Sequence, residues 1–576
     1  MSVPESKNIN QLFALLIIDQ MIKNKVRAFF VSPGMRNAPL LWAIDQLKTD
    51  KITVEVGIDE RAHAFRALGF AKVTGETPCL LCTSGTAMAN YFPAVLEAQK
   101  SQTSLLILSA DRPASLVYAT ANQTLEQPHL LAPAAPTLLT LDAPALHSSP
   151  HEWAALLGHA LHRGQATPKA PSHINISFTE PLDGSTQSIP PAMLLEAENI
   201  LADSRPYTRH LTNVEPSMME RIFTEPGMVV IGELPYYEDH SGILDFLKKC
   251  PWPFYADVTS SLKFDFNLQH GQIPTFDHPE VMEWPKRHAL QYILHLGGRV
   301  TSKHYYSFLD KNPETQLIAV NASPNMEDPA LRTRIKIHQA PHQFVQALTL
   351  PLVPRNMSLE GLIPFVQKKM NLIHQSSQTF PALSKTIIEL APDKSLLVLG
   401  NSTAVRSFDS YTSLLLSKHL SVITNRGVSG IEGLLATAIG ASDGLKAKPV
   451  TPITLVLGDI SAMHDLNSLL SLRNLKAPLV IIVANDFGGG IFKLLGLSNI
   501  DQAMEMMTTP HDWKLAPMAE SMGINCCSLN SQKELAKKYP EAIQDAVYSL
   551  RPIFMEFLIN PQENLALYNQ LKTIKV

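Results

Sequence analysis

The chain has 576 residues, of which 45% are hydrophobic and 17% charged, and its formal net charge is −4. This length predicts about three domains of ordinary size, and the lack of any basic block argues against a nucleic-acid partner. No apolar run approaches the ~20 residues that span a bilayer, no signal-peptide pattern opens the chain, and the five cysteines form no disulfide framework, so we expect a cytoplasmic enzyme.

The first region, residues 1–183, alternates strand and helix patterns. Two of its cysteines, Cys79 and Cys82, have the spacing of a redox or zinc pair. They lie in a predicted strand, however, where residues three apart point to opposite faces, so burial in the core is favoured for both thiols. The predicted strands of this region are Ala28–Val31, Ile52–Ile58, Cys79–Cys82, Leu105–Ser109 and His173–Phe178.

Two segments with the composition of linkers, Gly184–Pro191 and Pro351–Met357, follow. They predict domains at residues 1–183, 192–350 and 358–576. The fold class that we predict is α/β, with three doubly wound domains on mostly parallel central sheets. The predicted strands are Met228–Ile231, Leu294–Leu296 and Leu317–Val320 in the middle region, then Leu396–Leu399, Val422–Thr424, Ile453–Leu457 and Leu479–Ala484 in the third.

The stretch Ile453–Gly490 predicts a strand, a helix and a second strand. The first strand ends in Gly458-Asp459 and the second in Asn485-Asp486. Because neighbouring parallel strands carry their carboxyl ends to one edge of the sheet, the two aspartates should lie close together, where their oxygens suit Mg²⁺. The helical spacing between the strands rests on Leu466, Leu469, Leu470 and Leu475.

Polar residues also follow the other predicted strands. Any one group could be a strand-end cap or a turn, whereas two crescents of such groups, one per domain, are what a cofactor held between two sheets requires. In the first region the groups are Ser32–Arg36, Asp59–Arg61, Thr83–Thr86 and Asp111–Pro113. In the third they are Asn401-Ser402, Asn425–Gly427, Gly458-Asp459 and Asn485-Asp486.

These motifs, in this order, resemble those of the 2-succinyl-5-enolpyruvyl-6-hydroxy-3-cyclohexene-1-carboxylate synthase family, which are thiamine diphosphate enzymes of menaquinone biosynthesis. The resemblance runs over nearly the whole chain and is weakest in the middle region. It implies a transferase that decarboxylates 2-oxoglutarate and adds the resulting carbanion 1,4 to isochorismate, with the cofactor as electron sink. The motifs that carry it include Asp59–Arg61, Ala110–Pro113, Asn425–Ile431 and Gly458–Ser461.

The resemblance also implies thiamine diphosphate and Mg²⁺, or Mn²⁺, as cofactors. Glu60 would bind the aminopyrimidine ring and activate the cofactor, and we expect it to be buried at an apolar subunit interface that raises its pKa. Asp459, Asp486 and the carbonyl of Gly488 would bind the metal. Gln123 and Ser402 are the other candidate catalytic residues. Further cofactor contacts are expected at Ser402, Gly427, Ser429, Ile431, Gly458, Ile460, Ser461 and Ile491.

The implied substrates are anionic, and the planar fork of arginine suits carboxylates. Taken singly, any one arginine could instead form a surface salt bridge, and the apolar candidates could belong to a plain amphipathic helix. By resemblance the substrate-binding residues are Arg36, Arg112, Asn122, Gln123, Lys303, Arg406, Arg426, Phe492 and Leu495.

Alternatives remain open for two of the cofactor residues. Glu60 could cap the following helix or pair with Arg61. Ile431 could support the bent cofactor, or it could be part of an ordinary helical core stripe. The other members of that stripe would be Leu434, Leu435, Ala438 and Ile439.

The chain departs from the family pattern at four positions. Met35 replaces a usual Ser, Asp486 an Asn, Gly490 a Gln and His304 an Arg. These changes leave the acceptor substrate open, so the alternatives are another thiamine-dependent 2-oxo acid decarboxylase or carboligase and an inactive cofactor-binding paralogue. In this superfamily the sites lie between subunits, so we expect a homodimer or a dimer of dimers.

Overall fold

The computed structural model describes residues 6–166, 169–212, 219–265, 271–279, 281–283, 288–350, 359–411, 418–445, 451–495 and 501–575. The predicted linker Pro351–Met357 lies outside these residues. Eighteen strands form three six-stranded sheets. The strands are β1 (Ala28–Ser32), β2 (Thr53–Val56), β3 (Cys79–Cys82), β4 (Leu106–Asp111), β5 (Thr137–Leu141), β6 (Ser172–Ser177), β7 (Arg209–Leu211), β8 (Gly227–Ile231), β9 (Phe254–Ala256), β10 (Tyr292–Leu296), β11 (Gln316–Val320), β12 (Thr333–Ile337), β13 (Leu396–Leu399), β14 (Ser421–Thr424), β15 (Ile453–Gly458), β16 (Leu479–Asn485), β17 (Asn525–Leu529) and β18 (Ile553–Leu558).

Helices connect these strands. Within the described residues, every helix is too short or too polar to cross a membrane. The α-helices are Ile9–Lys23, Ala38–Leu47, Glu60–Thr74, Thr86–Ala89, Phe92–Lys100, Ala114–Tyr118, Gln127–Leu130, Pro150–Gln165, Pro191–Ala202, Ser241–Lys249, Lys303–Lys311, Pro341–Gln346, Ile363–Gln375, Phe380–Leu390, Thr403–Ser410, Leu434–Gly444, Asp459–His464, Ile491–Leu494, Asp501–Thr508, Leu515–Ser521, Gln532–Ser549 and Pro561–Lys572.

The chain forms two compact units. The first unit consists of Met1–Thr212 and Ser323–His338, and the second of Asn213–Ala322 and Gln339–Val576. The first unit contains the sheet β2-β1-β3-β4-β6-β5 and the parallel pair β7 and β12. The second unit contains the strands β11-β10-β8-β9 and the sheet β14-β13-β15-β16-β18-β17. The pairings within each of these sets are parallel, as α/β topology with crossover helices requires.

Strand β3 shows why the cysteine pair belongs to the core. Cys79 and Cys82 are both fully buried and both free. Cys79 packs with the apolar cluster on one face of the first sheet, whereas Cys82 packs with the cluster on the other face. The expected burial of both thiols is confirmed.

The segment between β15 and β16 differs from the prediction of one helix. A short α-helix, Asp459–His464, is followed by a 3-10 helix, Leu466–Asn474. The carboxylate of Asp465, at the junction, accepts hydrogen bonds from the backbone N–H groups of Leu435 (2.7 Å) and Ala436 (3.1 Å). Asp465 therefore leaves helical geometry and caps a neighbouring helix instead.

A buried ion pair joins two parts of the second unit that are distant in sequence. Lys263 Nζ lies 3.1 Å from Asp409 Oδ1, and both side chains are almost completely buried. Asp409 also accepts hydrogen bonds from Tyr255 Oη (2.7 Å) and from Val258 N (3.2 Å). The carboxylate thus has one cation and two hydrogen-bond donors, which is the condition for burying a charge.

Candidate active site

Glu60 is the first residue of the helix Glu60–Thr74, directly after β2. The helix cap is Asp59, whose carboxylate accepts a hydrogen bond from Ala62 N at 3.1 Å. Among the described residues, Glu60 forms no ion pair with Arg61. Glu60 is half-buried. It lies close enough to Cys82 that its carboxylate, together with burial, raises the pKa of that thiol. The two alternatives for Glu60, as the cap of this helix or as an ion-pair partner of Arg61, are therefore wrong.

Three apolar side chains near Glu60 in the sequence are exposed. The side chains of Val56 and Ile58 are 63% and 97% exposed, and that of Phe65 is 44% exposed. All three are on β2, just after it or on the following helix. A fully exposed isoleucine beside a half-buried carboxylate is unusual for a free surface and typical of one that another protein surface covers.

Arg112 and Gln123 contact each other at the carboxyl end of β4. Arg112 Nη1 donates to the Ser84 hydroxyl and, at 2.8 Å, to the backbone carbonyl of Gln123. Gln123 Nε2 donates to the carbonyl of Ser84 at 2.9 Å. A Cβ added at Gly85 would lie 2.9 Å from Gln123 Cγ, so glycine permits this approach. Asn122, the preceding residue, is exposed.

Arg36 is buried beside this group. Its Nη1 donates to the carbonyl of Phe178 at 2.9 Å, its Nη2 lies 3.1 Å from a Glu180 oxygen, and its Nε is buried without a partner. Burial and the nearby guanidinium of Arg112 lower the pKa of Arg36. The adjacent Met35 is 70% exposed. The structure therefore places two guanidinium groups together at one edge of the first sheet.

A buried amide network, which the sequence analysis does not include, positions Arg112. Asp111 accepts hydrogen bonds from Arg112 N (2.8 Å) and Asn175 Nδ2 (3.0 Å). Gln127 Nε2 donates to Asn175 Oδ1 at 2.9 Å, and its Oε1 accepts from Gly85 N at 2.7 Å. The signal in the sequence was Asn175 itself, a polar residue inside an otherwise apolar strand pattern.

Asp459 lies at the carboxyl end of β15 in the second unit and is buried. Its Oδ1 accepts a hydrogen bond from Ile460 N (2.7 Å), and its Oδ2 accepts from Gly488 N (2.9 Å) and from His511 Nε2 (3.1 Å). Burial raises the pKa of Asp459. His511 is a residue that sequence reasoning missed, because it follows the metal motif only after the helix Asp501–Thr508.

Asp486 follows β16 on the neighbouring strand and faces Asp459. Burial and the carboxylate of Asp459 raise the pKa of Asp486. A Cβ added at Gly490 would lie 2.0 Å from Asp486 Oδ2, so the glycine leaves room for the carboxylate. The carbonyl of Gly488 accepts a hydrogen bond from Gly490 N at 3.1 Å. The structure thus brings together the three predicted metal donors.

Arg406 and Arg426 lie near each other at the same edge of the third sheet. Arg406, on the helix Thr403–Ser410, donates from Nη1 to the carbonyl of Ser402 at 2.6 Å. Partial burial and the guanidinium of Arg426 lower the pKa of Arg406. Ser402 has φ +64° and forms the N-cap position of that helix. The second unit thus also places two guanidinium groups close together at a sheet edge.

Two side chains hold the loop that follows β14. Arg299 Nη2 donates to the carbonyls of Arg426 (3.0 Å) and Gly427 (2.7 Å). Asn401 Nδ2 donates to the carbonyls of Asn425 (3.0 Å) and Gly430 (2.7 Å). Arg299 was missed at the sequence level, although it lies in the same segment as Lys303 and His304, both of which are exposed.

Ile431 is outside the helical core stripe. The helix begins at Leu434, and its inward side is formed by Leu434, Leu435 and Ala438. Ile431 precedes this helix and is 37% exposed. The interpretation of Ile431 as a member of the core stripe is therefore wrong, while the predicted role at the cofactor stays a prediction.

The remaining predicted residues follow strand ends in the second unit. Phe492 is half-buried and Leu495 is 48% exposed, at a helix of only four residues, Ile491–Leu494, that has no buried side chain. The alternative that Phe492 and Leu495 belong to a plain amphipathic helix is therefore wrong. Of the other cofactor candidates, Ser461 is buried, Gly458, Ile460 and Ile491 are half-buried, and Gly427 and Ser429 are exposed.

The donor set of the second unit fits a divalent cation and a diphosphate. Asp459 is buried and Asp486 is half-buried, and the carboxylate of Asp459 raises the pKa of Asp486, so a cation with hard oxygen ligands would neutralise both groups. A Cβ added at Gly427 or Gly458 would meet no other atom within 4 Å, so space for a ligand lies beside both glycines. Asp459 and Asp486 offer carboxylate oxygens and Gly488 a carbonyl oxygen, which are the donors that Mg²⁺ prefers.

The comparisons with known proteins cover the whole chain. Residues 13–130 match the N-terminal TPP binding domain of thiamine pyrophosphate enzymes, residues 194–398 match their middle domain, and residues 409–556 match their C-terminal TPP binding domain. The 2-succinyl-5-enolpyruvyl-6-hydroxy-3-cyclohexene-1-carboxylate synthase of Syntrophus aciditrophicus (strain SB) is 34% identical, with 100% of both chains covered. The chain belongs to this synthase family.

Other members of the synthase family are also similar to this chain over nearly its full length. The proteins of that name from Chlorobium phaeobacteroides (strain BS1) and Chlorobaculum tepidum are 31% and 29% identical, over 97% and 98% of this chain and 97% of each relative. Among solved structures, a thiamine diphosphate-dependent 4-hydroxybenzoylformate decarboxylase from Rhodococcus jostii RHA1 is similar, with 16% identity and a TM-score of 0.43 over 95% of this chain and 99% of that one. The family matches confirm a thiamine diphosphate-dependent C–C bond-forming synthase with a three-part α/β fold.

The departure at Asp486 gives a prediction for this synthase. Burial and the carboxylate of Asp459 raise the pKa of Asp486 to about 8, so this group destabilises the folded state at neutral pH. Replacing Asp486 by Asn removes that cost, and we expect the metal-free protein to become more stable by about 1 kcal/mol. The additional stability gained on adding Mg²⁺ should fall, because the cation then has less repulsion to relieve. Thermal unfolding with and without Mg²⁺ measures both effects, and Asp545→Asn, an exposed carboxylate on the helix Gln532–Ser549, is the control. A lower stability of the metal-free variant would contradict the expectation.

Proposed function

We propose that this protein decarboxylates 2-oxoglutarate and joins the remaining four-carbon unit to isochorismate, as a step of menaquinone biosynthesis. The observation that carries the proposal is the similarity, over the full length of both chains, to synthases named for that product. The grouping of oxygen donors with a pair of arginines at one sheet edge supports it, because a metal, a diphosphate and a dicarboxylic substrate all need such groups.

In this proposal the second unit holds the cofactor and the metal. Asp459, Asp486 and the carbonyl of Gly488 bind Mg²⁺, while His511 and the backbone N–H of Gly488 orient the Asp459 carboxylate. Thiamine diphosphate, when bound, supplies the electron sink for decarboxylation. Ser461 and Ile460 lie directly after Asp459, where the diphosphate would be.

The carboxylate of Glu60 holds and releases the proton that activates the cofactor. Its half-buried position, the absence of an ion pair with Arg61 and the exposed apolar side chains near it in the sequence support this role, because another surface can cover those side chains. Gln123 and Ser402 supply hydrogen bonds near the reacting carbon atoms in this scheme. Ile431 supports the bent cofactor.

The arginine pairs bind the substrate carboxylates. In each pair one guanidinium lowers the pKa of the other, so an anionic ligand would relieve their repulsion. Arg36 and Arg112 form one pair, and Arg406 and Arg426 form the second. The remaining proposed substrate contacts are Asn122, Gln123, Lys303, Phe492 and Leu495.

The proposed assembly is a homodimer or a dimer of dimers in the cytoplasm. The exposure of Val56, Ile58 and Phe65 around Glu60 supports a subunit interface at this surface. The five cysteines are free in the structure, and three of them are buried, which suits a reducing compartment. Sedimentation of the purified protein tests the assembly.

The test of the function is isochorismate consumption by the purified protein with thiamine diphosphate and Mg²⁺, with 2-oxoglutarate or pyruvate as donor. We expect consumption with 2-oxoglutarate alone. Release of CO₂ from 2-oxoglutarate without loss of isochorismate would contradict the proposal and favour a carboligase with a different acceptor, which the changes at Met35 and His304 would then explain. Absence of both reactions from protein that binds the cofactor would favour an inactive paralogue.

A further inference from the structure

Three histidines from separate segments of the first unit meet at one point. His162 is in the last turn of the helix Pro150–Gln165, His210 is the central residue of β7, and His338 directly follows β12. One ring nitrogen from each residue can be chosen such that the three lie within 4.8 Å of one another. The cluster uses none of the residues of the candidate active site.

The geometry of the cluster is close to that of a metal site. His210 Nδ1 lies 3.0 Å from His338 Nε2, and the ring of His162 stacks on those of His210 and His338, with centroids 4.1 and 4.5 Å apart. Two imidazole nitrogens on one tetrahedral zinc ion are separated by about 3.3 Å. Because a lone pair lies in the plane of its ring, the stacked rings would have to turn toward a common point for three nitrogens to bind one ion.

Ring nitrogens at the cluster lack other partners. His210 Nε2 is buried and has no hydrogen-bond partner, and the same is true of Nδ1 of His159, which lies one helical turn before His162. A buried polar atom without a partner destabilises the fold by about 1–3 kcal/mol. Four imidazoles gathered with two such atoms are difficult to explain by packing alone.

The surroundings keep these imidazoles in the form that binds metals. Burial and the neighbouring imidazoles of His162 and His338 lower the pKa of His210 to about 2, and burial lowers the pKa of His338 to about 4. Neutral imidazole is the form that binds metals, and the ammonium of Lys336, which opposes protonation of these rings, also opposes a bound cation.

We propose that His162, His210 and His338 bind one divalent transition-metal ion, with Zn²⁺ as the preferred ion and the fourth position open to water or His159. Imidazole nitrogens favour Zn²⁺, Ni²⁺ and Cu²⁺, whereas the oxygen donors of Asp459 and Asp486 favour Mg²⁺. The bound ion would connect a helix with two strands whose histidines are 128 residues apart in sequence. Its role would be to stabilise this part of the first unit, since clips that close long loops stabilise the most.

The test is equilibrium Zn²⁺ binding to the full-length protein after chelator treatment. Mg²⁺ is present at ~5 mM, so that sites made of oxygen ligands are already occupied. The visible spectrum of bound Co²⁺ is recorded in parallel. We expect one tightly bound Zn²⁺ per chain and the intense Co²⁺ bands of a low-coordinate nitrogen site. His162→Asn and His338→Asn should each weaken binding at least about 100-fold. His147→Asn, which changes an exposed histidine of the same unit, is the matched control and should bind like the wild type.

The same titration in the Asp459→Asn variant separates this site from the candidate active site, since Zn²⁺ binding should persist there. Zn²⁺ binding that is unchanged in both folded histidine variants, or that disappears in Asp459→Asn, would overturn the proposal, as would wild-type protein that binds no Zn²⁺. The proposal does not depend on the reaction assigned above, because its readouts are bound metal and a spectrum rather than turnover.

Discussion

Glu60→Gln should abolish most turnover while the protein continues to bind thiamine diphosphate. The amide keeps the size of the side chain and its position at the start of the helix Glu60–Thr74, but it cannot exchange a proton with the cofactor. Losing one positioned acid–base group lowers rates by about 10²–10⁴-fold. The measurement is kcat with 2-oxoglutarate and isochorismate, alongside cofactor affinity from calorimetry in the presence of Mg²⁺.

The matched control for this variant is Glu76→Gln. Glu76 is an exposed carboxylate just beyond the other end of the same helix, so its replacement removes the same charge without touching the site. We expect wild-type turnover from the control. Turnover of Glu60→Gln within about twofold of the wild type would show that another group activates the cofactor.

Asp459→Asn should remove cofactor binding itself rather than turnover alone. The wild-type carboxylate accepts three hydrogen bonds, from Ile460 N, Gly488 N and His511 Nε2, and still has lone pairs for a cation. The amide nitrogen of Asn cannot accept, so the variant loses a charged metal ligand and leaves a donor unpaired. We expect the affinity for thiamine diphosphate with Mg²⁺ to fall at least about 100-fold, beyond the usual effect of an outer-shell residue.

Titration calorimetry with thiamine diphosphate at fixed Mg²⁺ measures this loss. Asp443→Asn, an exposed carboxylate on the helix Leu434–Gly444, is the control and should bind the cofactor normally. Far-UV circular dichroism establishes that both variants are folded. Wild-type cofactor affinity in a folded Asp459→Asn variant would remove Asp459 from the metal site.

The predictable strands were those with continuous apolar runs. Each predicted strand is present, with ends that move by at most two residues. Most of them are buried on both faces and so need such runs, whereas β2 and β14 are partly exposed edge strands. The edge strands β5, β7 and β17 were missed because they are partly exposed and lack that pattern. β9, another edge strand, has only three residues, and β12 is an interior strand interrupted by two charged residues, so both were missed as well. β18 was missed because Glu556 interrupts its apolar run, although the carboxylate is buried and accepts from the backbone of Leu515 and Ala516.

In the candidate site, too, some residues could be predicted from the sequence pattern and others could not. The strand-end rule placed Asp459 beside Asp486, since neighbouring strands fix which residues meet, whereas Gln123 was identified only through the family resemblance. It could not find His511, Arg299 or Gln127, because each reaches the site from a loop or helix whose path depends on tertiary packing. The ion pair of Lys263 and Asp409 was invisible for the same reason, with partners 146 positions apart by their residue numbers.

That ion pair limits how regions of this chain can be exchanged with those of relatives. A chimera that received a foreign middle region would keep Asp409 but could lose Lys263, and a buried carboxylate deprived of its partner destabilises a protein by about 3–5 kcal/mol. Arg299 adds a second requirement, because it holds two backbone carbonyls of the loop at Arg426 and Gly427. Recombination between family members is therefore expected to succeed only where both cations, or replacements for them, travel with the exchanged segment.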